Sequence, residues 1–249
     1  MTTWHEQDEW WEAIAPVLFG QRAWALAPQQ VEQVLALAGM EPPVRVLDMP
    51  AGVGRHALEF ARLGCTVTAV DRTAAYLNRA RAQAEELGLK IEFVQSDMRA
   101  FEREGAFDLA VNLFTSFGYF DDQADDLQVL RNFYTSLRPG GVFVMDMMGK
   151  EVLARIFQAR DWRELEDGTL LLEERKVQQD WSWMENRWIL IRNGERRDFP
   201  LSHRLYGATG LKALLQQAGF QNIRMYGDLG GDAYDERARR LIAVARRPD

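Results

Sequence analysis

The chain holds one cysteine, Cys65, in its 249 residues, so it forms no internal disulfide and offers no cysteine-based zinc site. A reducing cytoplasm is the expected compartment. Histidine is almost as scarce, with only His5, His56 and His203. No His/Asp/Glu group has ligand spacing, so no metal is expected. Long apolar runs are missing too: no stretch approaches the ~20 residues of a membrane span. The start, MTTWHEQDEWWE, lacks the basic and then apolar pattern of a secretory signal. Positive charge is the minority, 30 Lys+Arg against 37 Asp+Glu for a net of −7, which argues against a nucleic-acid backbone as partner. The short groups Arg237-Ala238-Arg239-Arg240 and Arg246-Arg247 stand near acids and read as solvated surface.

With 47% hydrophobic and 27% charged residues, the composition is that of a folded domain with a sizeable core. Three of eight tryptophans, Trp4, Trp10 and Trp11, crowd the first eleven residues. The region 1–43 reads as a helical cap. Trp10, Trp11, Ile14, Val17 and Leu18 mark one helix face, and a second helix is predicted to open at Pro28 and stop at Gly39. From residue 44 onward, short apolar runs alternate with amphipathic stretches. The runs are Val44–Leu47, Thr66–Val70, Ile91–Val94, Phe107–Val111 and Val142–Met145; the helices between them are predicted over Arg55–Leu63, Thr73–Leu87 and Asp122–Leu137. Near-continuous apolar strands separated by helices indicate a doubly wound parallel sheet. Between residues 160 and 206 the rhythm changes to three predicted strands, the last two joined by Asn193-Gly194, a hairpin signal. This is a β-rich insertion. A helix over Thr209–Ala218 and strands over Asn222–Tyr226 and Leu241–Ala245 return the chain to the main sheet.

The sharpest motif is Val46-Leu47-Asp48-Met49-Pro50-Ala51-Gly52-Val53-Gly54-Arg55-His56-Ala57, between the first strand and the first helix of that sheet. Glycines there let backbone approach a ligand, and the helix N-terminus offers free N–H groups. Asp71 ends the second strand, where a carboxylate can accept two hydrogen bonds from a ribose diol. Asp97-Met98 follows the third strand and could grip adenine by its amine and its ring face. Gly52-x-Gly54-x-x-Ala57 also fits a dinucleotide turn, so an NAD(P)-dependent oxidoreductase is one alternative. Asp48 speaks against it, because an acid at the strand tip repels a pyrophosphate and suits a cationic sulfonium or α-ammonium. A binding protein without catalysis, acting as sensor or scaffold, is the other.

The segments VLDMPAGVGRHALEFARLG, TVTAVDRT, FVQSDMRAF, FDLAVNLFTSFGYF and SLRPGGVFVMDM resemble the class I S-adenosylmethionine-dependent methyltransferases, over about residues 44–147. Within that family the chain looks most like small-molecule enzymes with a β insertion after the fifth strand, a group that includes sugar-amine N-methyltransferases. The resemblance implies a seven-stranded Rossmann-like sheet with its last strand antiparallel, over residues 44–249. It implies S-adenosylmethionine as cofactor and methyl transfer to a small-molecule acceptor, with N-methylation slightly favoured. By the same likeness Asp48, Met49, Pro50, Ala51, Gly52 and Gly54 hold the amino-acid end. Asp71 with Arg72 meets the ribose, Asp97 and Met98 flank the adenine, and Asn112-Leu113 passes beneath the methionine moiety. Pro50 stands where the family usually has its first glycine, which removes one N–H from the turn.

For the acceptor side, Tyr119 in Ser116-Phe117-Gly118-Tyr119-Phe120 and His203 near the end of the insertion are the candidate catalytic residues. His56 reads as a packing or capping residue. Most of the cap aromatics read as core, with one or two closing over the site as part of a lid. Asn112-Leu113-Phe114-Thr115 lacks the Asn/Asp-Pro-Pro-aromatic run that resembling enzymes use on base amines, so nucleic acid is not the expected substrate. Exposed strand edges on the insertion could pair with a second copy, which makes a homodimer an expectation.

Overall fold

A computed structural model describes residues 3–249, so the first two residues of the expected cap lie outside the described residues. Trp4–Glu6 form a 3-10 turn, followed by α1 (Asp8–Leu18) and α2 (Gln21–Ala38). The second helix thus opens at Gln21, well before Pro28, which lies inside it. Proline costs a helix one internal hydrogen bond. Here the buried row Ala27, Val31, Val34, Leu35 and Ala38 carries the helix through it.

The main body then runs β1 (Arg45–Asp48), α3 (Arg55–Arg62), β2 (Thr66–Asp71), α4 (Ala74–Glu86), β3 (Ile91–Gln95), β4 (Phe107–Asn112), α5 (Gln123–Ser136) and β5 (Leu137–Met147). After α6 (Lys150–Ile156) comes a separate sheet of β6 (Arg160–Glu164), β7 (Leu170–Gln178), β8 (Trp183–Arg192) and β9 (Glu195–Arg204). The chain closes with α7 (Ala208–Gln217), β10 (Gln221–Tyr226) and β11 (Leu241–Arg246).

The seven-stranded sheet has the order β10-β11-β5-β4-β1-β2-β3, with β1 to β5 parallel and β11 antiparallel to β5. Alternate residues feed opposite faces. Leu47, Val70, Ala110, Phe143 and Met145 pack with Leu130 and Phe133 of α5 and Leu215 of α7. Val46, Val67, Leu109, Val111 and Val144 pack with Val31 and Val34 of α2 and Phe60 of α3. Burial on both faces is why these strands read as near-continuous apolar runs. The strand order reverses between β1 and β4, and the crevice at the carboxyl ends there is where such sheets bind ligands.

The smaller sheet is antiparallel throughout, in the order β6-β7-β8-β9. Asn193 and Gly194 make its tight turn with φ of 51° and 80°, and Arg192 pairs with Glu195. Both positive φ values suit the right-handed twist of a hairpin. The sequence pattern anticipated three strands here, and the structure has four. The fourth, β6, has every residue exposed, so its sequence Arg-Asp-Trp-Arg-Glu carries no apolar alternation to reveal it. Leu171, Leu190 and Phe199 of this sheet share a core with Trp10 and Ile14 of α1. The cap and the insertion therefore meet over the strand ends. No helix among the described residues is long and apolar enough to cross a membrane.

Candidate active site

Below that junction lies a cavity of about 910 Å³ at the carboxyl ends of the parallel strands. Its floor is made by Met49, Pro50, Ala51 and Gly52 after β1, Asp71 and Arg72 at the end of β2, Asp97 and Met98 after β3, and Leu113 after β4. Its roof is Trp4, His5, Trp10, Trp11 and Phe19. The inner face of the insertion supplies Glu173, Arg175, Asn186, Trp188 and His203, and Tyr119 closes one side.

Asp71 is held by two backbone amides. Gly52 N–H donates to one carboxylate oxygen at 2.7 Å and Thr73 N–H to the other at 2.8 Å. Burial raises its pKa against those two bonds and the charge of Arg72. A carboxylate oxygen has two lone pairs, so each still has capacity for one more donor. The Met49–Pro50 peptide is cis, and Ala51 N–H bonds to the Val70 carbonyl at 2.8 Å, which fixes the turn against β2.

Three of the residues expected to hold the cofactor, Asp48, Gly54 and Asn112, stand behind this wall rather than in it. Asp48 is 2% exposed, and its pKa is pushed up to about 7, chiefly by burial and against the pull of Arg55. Gly54 has φ of +78°, and a Cβ there would meet the Cβ of Ala80 in α4 at 2.7 Å. Its lack of a side chain serves helix packing. Asn112 is fully buried and donates to the Met49 and Ser116 carbonyls, both at 3.2 Å, tying the loop after β1 to the loop after β4.

Asp97 is gripped by Arg99, whose backbone N–H and Nε bond one oxygen at 2.8 and 3.1 Å while Nη2 bonds the other at 2.7 Å. Against burial, these bonds hold the Asp97 carboxyl below the usual carboxylate range. The same guanidinium reaches Glu6 of the cap at 3.2 Å and lies over the Phe120 ring at 4.5 Å. Arg72 also points to the cap, pairing with Asp8 at 2.8 Å and donating to the Glu6 carbonyl. Trp4 Nε1–H donates to the Ser202 carbonyl of β9 at 3.0 Å. The roof is thus latched to the tips of β2 and β3 and to the insertion.

Phe114 and Thr115 after β4 both adopt left-handed φ, 61° and 63°. For a phenylalanine that is strained, and the cluster around it holds it there. The ring stacks on His56 at 5.3 Å and lies under the Arg55 guanidinium at 4.1 Å. His56 is tied to Gln30 at 3.0 Å, and burial pushes its pKa well below the ordinary value. The Tyr119 hydroxyl donates to the Thr115 carbonyl at 2.9 Å, and burial raises its pKa far above that of a free phenol. His203 faces the cavity from β9 opposite Met184, and burial lowers its pKa to about 4. It is therefore neutral at pH 7.

Glu173, Arg175, Asn186 and Trp188 were not anticipated as cavity residues. Their signal is the pairing of Glu173 with Trp188 and of Arg175 with Asn186, which puts polar side chains on the inward face of a half-buried sheet. His5 also lines the cavity, and a lone histidine in a helical cap carries no sequence signal of that.

Residues 46–141 match the family model described as a methyltransferase domain. The match covers 96 of the 249 residues and makes the chain, over that domain, an S-adenosylmethionine-dependent methyltransferase. A protein of Geobacillus sp. (strain WCH70) with a provisional methyltransferase name is 25% identical over 230 residues, covering 87% of this chain and 90% of its own. The ubiquinone biosynthesis O-methyltransferase of Xanthomonas euvesicatoria is 31% identical over 166 residues, covering 60% of this chain and 65% of its own. Among solved structures, the CcbJ methyltransferase of Streptomyces caelestis superposes with a TM-score of 0.81 at 23% identity, over 100% of this chain and 99% of that one. CalS10 of Micromonospora echinaspora, an amino pentose methyltransferase solved with S-adenosylmethionine bound, gives 0.66 at 22% identity over 90% and 91%. The cofactor of this methyltransferase is accordingly S-adenosylmethionine rather than a nicotinamide.

Proposed function

We propose that this methyltransferase alkylates an amine nitrogen of a small-molecule acceptor held between the cap and the insertion. The observation that carries the reading is a single cavity with Asp71 and Met98 on one wall and a neutral His203 on the other. S-adenosylmethionine supplies the activated methyl group when bound. In this reading Asp71 accepts from the ribose diol, and Asp97 and Met98 contact the adenine. Met49 to Gly52, with Leu113, line the methionine end. Asp48, Gly54 and Asn112 brace that wall from behind. Arg72 acts indirectly, by latching the cap.

An ammonium must lose a proton before it can attack, and His203, with its pKa lowered to about 4, is too weak a base to hold that proton; it accepts a hydrogen bond from the free amine. The hydroxyl hydrogen of Tyr119 is committed to Thr115, so Tyr119 serves as a hydrogen-bond acceptor that orients the amine. The tryptophan roof excludes water, which leaves positioning as the main source of rate, on the order of 7–11 kcal/mol. Support for nitrogen comes from a further structural neighbour, the sugar N-methyltransferase KedS8 of Streptoalloteichus sp., with a TM-score of 0.67 at 21% identity; the relative acting in ubiquinone synthesis methylates oxygen.

The test is to incubate the protein with methyl-labelled S-adenosylmethionine and a metabolite extract and to locate the label by mass spectrometry. Label on nitrogen is the expected result, and label on oxygen overturns the assignment. His203→Gln should lower kcat by about tenfold, the worth of one misplaced hydrogen bond. Since His203 is neutral above about pH 4, wild-type kcat should show no histidine break near 6.5. Stability carries the same signature. The unfolded chain takes up this proton near 6.5 and the folded one near 4, so stability falls as pH drops through that window, and less so in His203→Gln.

A further inference from the structure

Two buried polar atoms on the insertion side of the cavity find no hydrogen-bond partner among the described residues, Trp10 Nε1 and Glu173 Oε2. Trp10 is 6% exposed and Glu173 5%. The other Glu173 oxygen pairs with Arg175 at 2.8 Å, while Arg163 stands 3.7 Å from Oε2, close enough for charge but too far for a hydrogen bond. Trp188 links the two groups. It pairs with Glu173 across β7 and β8, and its ring stacks on Trp10 at 6.5 Å and 24°. All three residues line the cavity.

An unpaired buried donor and an unpaired buried acceptor that both flank Trp188 in a binding cavity are what a ligand hydroxyl would complete, since it donates once and accepts as well. A second cation fits less well, because Arg163 and Arg175 already balance the Glu173 charge. We propose that Trp10 and Glu173 form a specificity subsite for a neutral hydroxyl of the acceptor, whose carbon skeleton lies on Trp188. Distance sharpens the claim. Glu173 and His203 pair with Trp188 and Met184 on the same strand, and those four steps span roughly 13 Å. The hydroxyl therefore sits about 10 Å from the nitrogen to be methylated, remote from the reacting centre.

The subsite rests on the acceptor reading above, and the probes separate the two. With S-adenosylhomocysteine present, calorimetry compares 8-amino-1-octanol, long enough to reach both ends, with n-nonylamine, which replaces the hydroxyl by a methyl. The aminoalcohol is expected to bind about tenfold more tightly, against the bias of an apolar wall. Trp10→Phe, which keeps a ring and loses the N–H, and Glu173→Leu are each expected to erase that preference. Should the Glu173 variant fail to fold for want of the Arg175 pair, Trp10→Phe decides alone. Equal affinities, a preference for n-nonylamine, or a preference that survives Trp10→Phe would overturn the subsite while leaving the amine reading intact. A protein that binds S-adenosylhomocysteine yet neither amine overturns both.

Discussion

Asp71→Ala is expected to weaken S-adenosylhomocysteine binding by two to four orders of magnitude, the largest loss from any single side chain on the cavity floor. Two ribose hydroxyls donating to one carboxylate are charge-assisted bonds, each worth roughly 1.5–3 kcal/mol. Their sum, roughly 3–6 kcal/mol, corresponds to that range of affinity. A second effect adds to the first. The same carboxylate accepts from Gly52 and Thr73, so alanine also releases the backbone that shapes the turn. Asp71→Asn separates the two contributions, because its amide oxygen still accepts but carries no charge and its nitrogen faces a donor. It should fall between wild type and alanine. Calorimetric titration with S-adenosylhomocysteine reads the affinity, and a melting curve without ligand reads the backbone effect. Binding by Asp71→Ala within threefold of wild type would remove Asp71 from the cofactor site.

The latches between the cap and the strand tips bear on how this affinity develops. Glu6 meets Arg99, and Arg99 holds Asp97, so the roof and the carboxylate after β3 share one guanidinium. The Glu6–Arg99 pair is partly exposed, and such pairs are individually weak. That pair therefore adds little by itself, and the packing of Trp10 and Ile14 on Leu171, Leu190 and Phe199 is the larger hold on the roof.

The parallel sheet was legible because its strands are buried on both faces, which makes Val44–Leu47, Phe107–Val111 and Val142–Met145 near-continuous apolar runs, broken only by Arg45 and Asp108. β6 escaped because an exposed edge strand has no face to mark. The start of α2 escaped because Pro28 is a favoured first-turn residue, and only tertiary packing of Ala27 and Val31 overrides that preference. At the site, spacing alone put Asp71 and Met98 on the cavity floor, since a residue just past a parallel strand has few other places to be. Spacing does not say which way a turn residue faces. Asp48, Gly54 and Asn112 belong to the same short segments, yet they look into the core or toward α4. Glu173, Trp188 and the roof of Trp4 and His5 depended on how the insertion docks against the cap, a contact between segments some 170 residues apart. No local pattern encodes that.

Gly54→Ala should be the most destabilising conservative change in the glycine turn, at about 2–5 kcal/mol. Two costs combine. A left-handed backbone carries a penalty of roughly 1–2 kcal/mol for any residue with a Cβ. The new methyl would also stand 2.7 Å from the Cβ of Ala80, a fully buried residue of α4, and overpacking of that kind costs roughly 1–3 kcal/mol. The second cost has a specific remedy. Ala80→Gly removes the atom that is struck, so the double variant should recover the steric part and not the backbone part. Alone, Ala80→Gly should cost only about 1 kcal/mol as a helix glycine, with a further loss for its buried methyl. A double-mutant cycle read by denaturant unfolding therefore gives a favourable coupling between the two sites. Because Gly54 lies behind the cavity wall, Gly54→Ala that remains folded at low temperature should bind S-adenosylhomocysteine nearly as well as wild type. If instead the variant kept its melting temperature and lost the ligand, Gly54 would have to face the cofactor, and the packing of α3 on α4 would no longer explain why a glycine stands there.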